Sequence, residues 1–207
     1  MNDFILHTRN SYMERIAPFM DKPLVKVITG MRRSGKSCIV RLLIRDLIAK
    51  GISESQIIYI DKESYEFDSL RDYRDVAEYV KAKRVEGNSR TYVLIDEVQE
   101  IKGWERVVSA WSGDANLDVV ITGSNARLLS GELATLLAGR YVEIHVLPLS
   151  FTEFSQFHNL MAEPDIDVFN LYLKYGGLPG LSALGKRIAG EHSLCRACAP
   201  RISAVGW

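Results

Sequence analysis

The sequence has no net charge, no long apolar run and few cysteines. Its 26 basic residues are balanced by 26 acidic residues over a length of 207, so the overall charge gives no indication of a polyanionic partner. No apolar run reaches the roughly 18 residues of a membrane-spanning helix, and the first residues lack the basic region and apolar core of a secretory signal. Three cysteines, an odd number, favour a reducing compartment when no such signal is present. We therefore expect a cytoplasmic protein without a membrane partner.

The balanced charge is unevenly distributed along the chain. Residues 1–50 hold ten basic and four acidic side chains, residues 51–180 hold twelve and twenty-one, and residues 181–207 hold four and one. The basic excess at the start could contact nucleic acid, although a solvated basic surface is the more common meaning of such an excess. A composition of 47% hydrophobic and 25% charged residues is typical of a globular protein with a sizeable core.

One eight-residue segment, Gly30 to Ser37, has the form G-x-x-x-x-G-K-S. The apolar run 24–29 precedes it and the amphipathic stretch 38–50 follows it, which is the strand–loop–helix context of a phosphate-binding loop. Lys36 is expected to place its ammonium on the β- and γ-phosphates of a nucleotide, and the Ser37 hydroxyl to ligate Mg²⁺. A chance match in an ordinary glycine turn is the alternative, which the flanks disfavour. The predicted nucleotide-binding residues are Gly30, Arg32, Arg33, Ser34, Gly35, Lys36, Ser37 and Cys38.

A second motif is the apolar run 92–95 followed by Asp96 and Glu97. A buried strand would deliver Asp96 to the edge of the sheet beside the loop, where its carboxylate could hold Mg²⁺ directly or through water. Glu97 could then deprotonate a water for attack on the γ-phosphate. A strand ending in Asp-Glu is a weak signal by itself, but it gains weight after a phosphate loop with one predicted strand between them.

Two further positions are candidates for contact with the γ-phosphate. Ser124 and Asn125 follow the predicted strand 117–122, where a polar side chain can touch the phosphate or the attacking water; an ordinary helix N-cap is the alternative. Arg140 precedes the predicted strand 141–147 and could neutralise charge on the transferred phosphoryl group. Its alternative is a cation at a helix C-terminus.

The flanking helices carry further expectations. Residues 11–20 have helical spacing, and Arg9 and Arg15 could reach the adenine or the phosphates, with surface charge as the default for each. In the helix after the loop, Cys38 is expected to be a small buried side chain. The apolar side of that helix is predicted to consist of Ile39, Leu42, Leu43, Leu47 and Ile48. Val107, Val108 and Trp111 also have helical spacing. Later helices are predicted over 126–138, from about Ser150, where Ser150 and Glu153 form a capping box, and over 165–175.

These motifs, taken in order, resemble the AAA-type ATPases of the AAA_14 group, whose members usually continue into a domain of unknown function (DUF4143). The resemblance implies an α/β P-loop fold: a parallel five-stranded sheet of order 5-1-4-3-2 with helices on both faces. It also implies ATP and Mg²⁺ as ligands, and it names a polar residue after the fourth strand as sensor 1. The segments that match are Val27–Ser37, Leu94–Gln99 with Trp104, Ile121–Asn125, Leu137–Arg140, Pro148–Phe154 and Gly176–Pro179.

The predicted organisation has four parts. An approach segment covers 1–23, the ATPase domain 24–160 and the start of a C-terminal helical region 161–180. The remainder, 181–207, is expected to be an atypical, poorly ordered tail. Because it does not resemble the family, we expect a truncated or frameshifted copy. Its Cys195 and Cys198 form a C-x-x-C with no second pair, so a metal site there is not favoured.

The function predicted from the sequence is Mg²⁺-dependent ATP hydrolysis. ATP is favoured over GTP because no N-K-x-D guanine-reading motif occurs in the chain. One alternative is a nucleotide-binding regulatory module, or a fragment with little turnover. Another is a DNA-associated ATPase that uses the basic N-terminal segment. Self-association, and whether Arg140 serves its own site or that of a neighbouring chain, are left open by the sequence.

Overall fold

The computed structural model describes residues 8–85, 89–124, 137, 139–158 and 165–179. Asn125 and the tail 181–207, including its C-x-x-C, lie outside these residues. So does almost all of the helix predicted over 126–138.

A parallel five-stranded sheet, with strand order β2-β3-β4-β1-β5, is the centre of the structure. Each pair of neighbours in that order runs parallel. The strand order that the resemblance implies is therefore confirmed, since it is the same order read from the other edge. The strands are β1 Val25–Gly30, β2 Ile57–Asp61, β3 Thr91–Asp96, β4 Leu117–Gly123 and β5 Tyr141–Val146.

The burial of the strands explains their sequence pattern. Every residue of β1, β3 and β4 is buried, as expected for central strands covered on both faces. The edge strand β2 instead alternates between half-buried and buried positions. The nearly continuous apolar runs at 24–29, 92–95 and 117–122 therefore mark the interior of the sheet, and the predicted strand ends are correct to within about one residue.

Helices cover both faces of the sheet. Val27 packs in a core with side chains of α3 and α4, whereas its neighbour Ile28 packs in a second core with side chains of α1 and α2. Consecutive strand residues point to opposite faces, so the two cores lie on the two sides of the sheet, and the prediction of helices on both faces is confirmed. The helices of this part are α1 Asn10–Ile16, α2 Lys36–Ala49, α3 Tyr73–Lys83 and α4 Trp104–Trp111.

Two side chains of α2 are exposed, contrary to prediction. Ile39, Leu43 and Leu47 are buried as expected. Cys38 is exposed, and so is Ile48, at 41% of its surface. Cys38 immediately precedes the buried Ile39, and Ile48 immediately follows the buried Leu47. One position along a helix is a rotation of about 100° around its axis. The buried stripe is therefore narrower than the apolar content of the segment suggests.

The described residues fall into two compact units, 8–147 and 148–179. The second contains α5 Phe151–Phe157 and α6 Asp165–Tyr175. Ser150 and Glu153 form the predicted capping box at the start of α5. Among the helices that the structure describes, none has the length and apolar character that crossing a lipid bilayer requires.

A buried ion pair joins β1 to β4 near their amino ends. Lys26 Nζ lies 2.6 Å from Asp118 Oδ1, and the two side chains are 0% and 1% exposed. The other carboxylate oxygen of Asp118 accepts a hydrogen bond from the backbone N–H of Asp21 at 2.5 Å. The pair therefore anchors the segment that enters β1 to the end of the sheet opposite the loop that follows β1.

We expect Asp118→Ala to lower the free energy of unfolding by about 3–5 kcal/mol, because it leaves the Lys26 ammonium buried without its partner. The double variant Lys26→Met/Asp118→Leu should lose much less, since it removes both charges. Urea unfolding followed by circular dichroism measures both effects. The control is Asp46→Ala, which breaks an exposed pair with Lys50 and should cost under about 1 kcal/mol. An equal cost for Asp118→Ala and its control would contradict this assignment.

Candidate nucleotide-binding site

The loop between β1 and α2 has a backbone that requires its glycines. Gly30 and Gly35 have φ values of +149° and +99°, which few other residues adopt. A Cβ atom on Gly30 would collide with the carbonyl oxygen of Val146 on β5 and would lie 3.0 Å from the Ser34 hydroxyl. The close approach of β5 therefore leaves no room for a side chain at the start of the loop.

The Lys36 side chain spans this loop. It is only 4% exposed, and its Nζ donates to the carbonyl oxygens of Gly30 and Met31 at 3.3 Å each. The same Nζ lies 3.5 Å from Glu97 Oε1. The ammonium therefore connects the loop to the end of β3.

Ser34 supplies an unsatisfied polar group in the same loop. The residue is completely buried, and its Oγ has no hydrogen-bond partner among the described residues. A buried hydroxyl without a partner is costly. The cost would be relieved by an oxygen-rich ligand such as a phosphate, so this observation fits the predicted nucleotide.

Asp96 is the last residue of β3 and is 2% exposed. The Thr122 hydroxyl donates to its Oδ1, and the Tyr59 hydroxyl donates to its Oδ2 at 3.4 Å. Burial raises the pKa of Asp96, and hydrogen bonds from Ser37 and Thr122 oppose that rise. A carboxylate beside a serine hydroxyl is a donor set that suits Mg²⁺, which keeps several waters and substrate oxygens as its other ligands. The residues present therefore fit the implied metal.

Glu97 directly follows β3 in a left-handed backbone conformation, with φ +56° and ψ +54°. Its N–H donates to Thr122 Oγ1 at 3.0 Å, and its Oε2 accepts a hydrogen bond from Gln99 Nε2. This conformation is uncommon for a residue with a side chain. It turns the carboxylate of Glu97 towards Lys36.

Thr122 binds both acidic residues of the site, and the sequence interpretation missed it. Ser124, which the sequence predicts to contact the γ-phosphate or the attacking water, lies half-buried just after β4 at the same edge of the sheet, and its role stays a prediction. The sequence does contain a signal that could have identified Thr122, because it is a hydroxyl residue at the end of the apolar run 117–122.

Tyr59 and Arg41 were also missed. Burial raises the pKa of Tyr59, and the carboxylates of Asp96 and Asp61 raise it further, so the phenol remains a hydrogen-bond donor. Arg41 of α2 lies beside this phenol and 3.7 Å from Asp61 at the end of β2. The Tyr59 hydroxyl therefore binds the carboxylate oxygen of Asp96 that Thr122 does not bind.

Arg9 is buried, although surface charge was its default expectation. It is 4% exposed, and its Nη1 donates to the carbonyl oxygens of Ser34, at 3.1 Å, and Leu147, at 3.0 Å. Its guanidinium lies 4.5 Å from the centre of the Tyr12 ring. Arg9 therefore braces the backbone of the loop and the end of β5. Arg15 is exposed, which agrees with the expectation of a surface charge.

The remaining predicted residues lie outside this cluster. The side chains of Arg32, Arg33 and Cys38 are exposed. Arg140 is exposed just before β5, and its carbonyl accepts a hydrogen bond from Val25 at the start of β1. The strands run parallel, so Arg140 lies about 20 Å from the loop, at the opposite edge. The structure does not bring Arg140 to the site of its own chain.

Comparison with known proteins identifies relatives of this chain. The family model AAA_14, described as an AAA domain, matches residues 22–155. An uncharacterized protein of Haemophilus influenzae is 42% identical over 176 residues, which cover 84% of this chain and 44% of the relative. An uncharacterized protein of Methanocaldococcus jannaschii is 29% identical over 174 residues, covering 77% and 36%. The chain thus spans less than half the length of these relatives.

Solved structures share the fold at low sequence identity. Orc1 of Aeropyrum pernix, solved in complex with DNA, has a TM-score of 0.53 at 17% identity and covers 79% of this chain and 52% of its own. Rif2 of Saccharomyces cerevisiae has a TM-score of 0.51 at 12% identity, covering 82% and 71%. Hsp104 of Saccharomyces cerevisiae, in a casein complex, has a TM-score of 0.50 at 15% identity, covering 84% and 34%.

These structures support the fold alone. The family match covers more than half of the chain and includes every residue described above around the loop between β1 and α2, except Arg9 and Tyr12. The chain therefore belongs to the AAA_14 family of AAA domains and contains a nucleotide-binding, ATPase-like module.

Proposed function

We propose that the chain binds ATP with Mg²⁺ and hydrolyses it to ADP and phosphate. The observation that carries this proposal is the convergence of Lys36, Asp96 and Glu97 at one edge of the sheet. Lys36 Nζ is 3.5 Å from Glu97 Oε1, and the Ser37 hydroxyl lies close enough to Asp96 to oppose the rise in its pKa. The cation proposed to bind phosphate (Lys36), the pair proposed to bind Mg²⁺ (Ser37 and Asp96) and the proposed base (Glu97) are therefore close together.

Phosphate binding is assigned to the loop amides and Lys36. The ammonium of Lys36 presently donates to two neutral carbonyl oxygens at 3.3 Å. Phosphate oxygens are charged and accept stronger hydrogen bonds, so a bound triphosphate would draw the ammonium away from these carbonyls. The positive amino end of α2, which begins at Lys36, also favours an anion there.

Ser37 and Asp96 are assigned to Mg²⁺. When bound, the ion neutralises charge on the β- and γ-phosphate oxygens. Hydrogen bonds from Thr122 and Tyr59 hold the Asp96 carboxylate in one orientation. Such bonds from outside the ligand set fix the direction in which a ligand presents its lone pairs.

Glu97 is assigned as the base. It takes a proton from a water whose oxygen forms a bond to the γ-phosphorus, and the bond from that phosphorus to the β–γ bridging oxygen breaks. The bridging oxygen keeps the electron pair and leaves with ADP. Ser124, at the same edge, is assigned to the γ-phosphate or the water.

Arg140 is assigned to the site of a neighbouring copy of the chain. Its exposed position about 20 Å from its own loop supports this assignment over contact with its own nucleotide. This assignment makes self-association part of the proposed function.

Nucleotide binding without turnover is the second candidate. It is favoured by the ion pair between Glu97 and Lys36, which occupies one oxygen of the proposed base. A DNA-associated role is the third candidate: Arg9, Lys26 and Lys36 from the basic N-terminal segment are buried, whereas its other seven basic side chains are exposed.

The main test is a pair of variants. Lys36→Ala should abolish ATP binding, because it removes the cation that spans the loop. Glu97→Gln should leave binding intact and lower turnover by about 10²- to 10⁴-fold, because the amide cannot accept the proton. Calorimetric titration with ATP and a phosphate-release assay measure the two effects. Glu54→Gln, the same change on an exposed residue, is the control. Unchanged turnover in Glu97→Gln would refute the mechanism, and binding without turnover in the wild type would favour the second candidate.

A mixing experiment tests Arg140. Arg140→Ala alone should lower turnover by about 10³-fold if the residue acts as an arginine finger. Lys36→Ala alone should be inactive. Mixed chains should regain turnover, because the Lys36→Ala copies still supply Arg140 to intact sites. Full activity of Arg140→Ala, or no recovery on mixing, would show that the residue does not act between copies.

A further inference from the structure

We propose that Gln99 is a positioning residue of this site, which orients the Glu97 carboxylate and holds the second hydrogen of the attacking water. The proposal rests on the hydrolytic function proposed above. It assigns a separate task to a side chain that is neither a phosphate ligand nor a metal ligand.

The orientation of the Gln99 amide follows from its partner. Its side chain contacts Glu97 Oε2. A carboxylate can only accept hydrogen bonds, so the NH₂ group of Gln99 must face Glu97 and the Oε1 atom must face elsewhere. That Oε1 is buried and has no hydrogen-bond partner among the described residues. A buried amide oxygen left in this state is destabilising, so it marks a position where a hydrogen-bond donor is missing.

Local backbone geometry brings the two side chains together. In a continuing strand, side chains two residues apart would project side by side at about 7 Å. Here the left-handed conformation of Glu97 is followed by a 3₁₀ turn over Val98–Glu100. Val98 and Ile101 are buried at 0% and 1% exposure and fix this turn in the core. The contact between Gln99 and Glu97 is therefore built into the rigid end of β3.

The two oxygens of Glu97 have different partners. Oε1 faces Lys36 at 3.5 Å, whereas Oε2 is held by Gln99. A bound triphosphate would draw the Lys36 ammonium towards its own oxygens, which frees Oε1 to accept a proton. Gln99 keeps Oε2 and so prevents the carboxylate from turning away when Lys36 leaves.

The unpartnered Oε1 of Gln99 then has a chemical use. A water has two O–H groups, and its attacking lone pair is directed only when both are held. Glu97 Oε1 accepts a hydrogen bond from one O–H group and keeps its orientation, while Gln99 Oε1 accepts a hydrogen bond from the other O–H group. The proton passes to Glu97 as the oxygen attacks phosphorus, and Gln99 neither gains nor loses a proton.

Gln99→Met removes the amide and keeps the size of the side chain. We expect it to lower kcat by about 10- to 100-fold, the effect of a misdirected reacting group, with KM and the ATP dissociation constant changed by less than about twofold. In a Glu97→Gln background, measured under single-turnover conditions, the same substitution should cost clearly less than it does with Glu97 in place, because the part of its effect that passes through the Glu97 carboxylate is already lost and only the contact with the water remains. Gln156→Met, on an exposed glutamine of α5, is the matched control and should leave all constants unchanged.

Each outcome bears on a different claim. No phosphate release by the wild type overturns the proposed function and this inference with it. Turnover that is lost in Glu97→Gln but retained in Gln99→Met overturns this inference alone. A loss of ATP affinity with kcat unchanged, or an equal kcat loss in both backgrounds, shows a merely structural role. Should Gln99→Met fail to fold, Gln99→Asn replaces it, because its amide is one methylene too short to reach Glu97; wild-type kcat in that variant overturns the inference.

Discussion

The site depends on the parallel direction of the sheet. Because all five strands run the same way, their carboxyl ends meet at one edge and their amino ends at the other. The loop after β1, Asp96 at the end of β3 and Thr122 near the end of β4 are therefore neighbours in space despite their distance in sequence. The same constraint sends Lys26, Asp118 and Arg140 to the opposite edge, where they can hold the sheet together or face another molecule but cannot reach the loop.

The polar groups of the site satisfy one another in the structure described. Lys36 lies against Glu97, Thr122 bonds to both Asp96 and the backbone of Glu97, and Gln99 holds Glu97. A site of this kind keeps its charges paired and its side chains directed before any ligand arrives. Two polar atoms of the site are exceptions, the hydroxyl of Ser34 and the amide oxygen of Gln99, since neither has a partner among the described residues. They are the places where the network is incomplete, one in the loop and one beside the proposed base.

Much of this fold could be predicted from the sequence, because the relevant signals are local. Long apolar runs located the central strands, and the G-x-x-x-x-G-K-S spacing located the loop and the start of α2. The order of the strands came from the family resemblance rather than from any spacing. The contacts across the sheet could not be predicted from the sequence, namely the hydrogen bond from Thr122 to Asp96 and the burial of Arg9 at 4% exposure. Burial within one helix also failed at Cys38 and Ile48, since an apolar side chain does not reveal which way it faces.

Arg9 and Tyr12 bear on where this domain begins. Together they bind the backbone of Leu147, through its carbonyl and its N–H, and Arg9 also binds the Ser34 carbonyl of the loop. Both residues precede position 22, where the family match starts. The shortest polypeptide that keeps the loop in its present shape therefore extends at least to Arg9. A shorter protein that began at residue 22, where the family match starts, would keep every sequence motif. It would lack Arg9 and Tyr12, whose hydrogen bonds hold the loop and the end of β5.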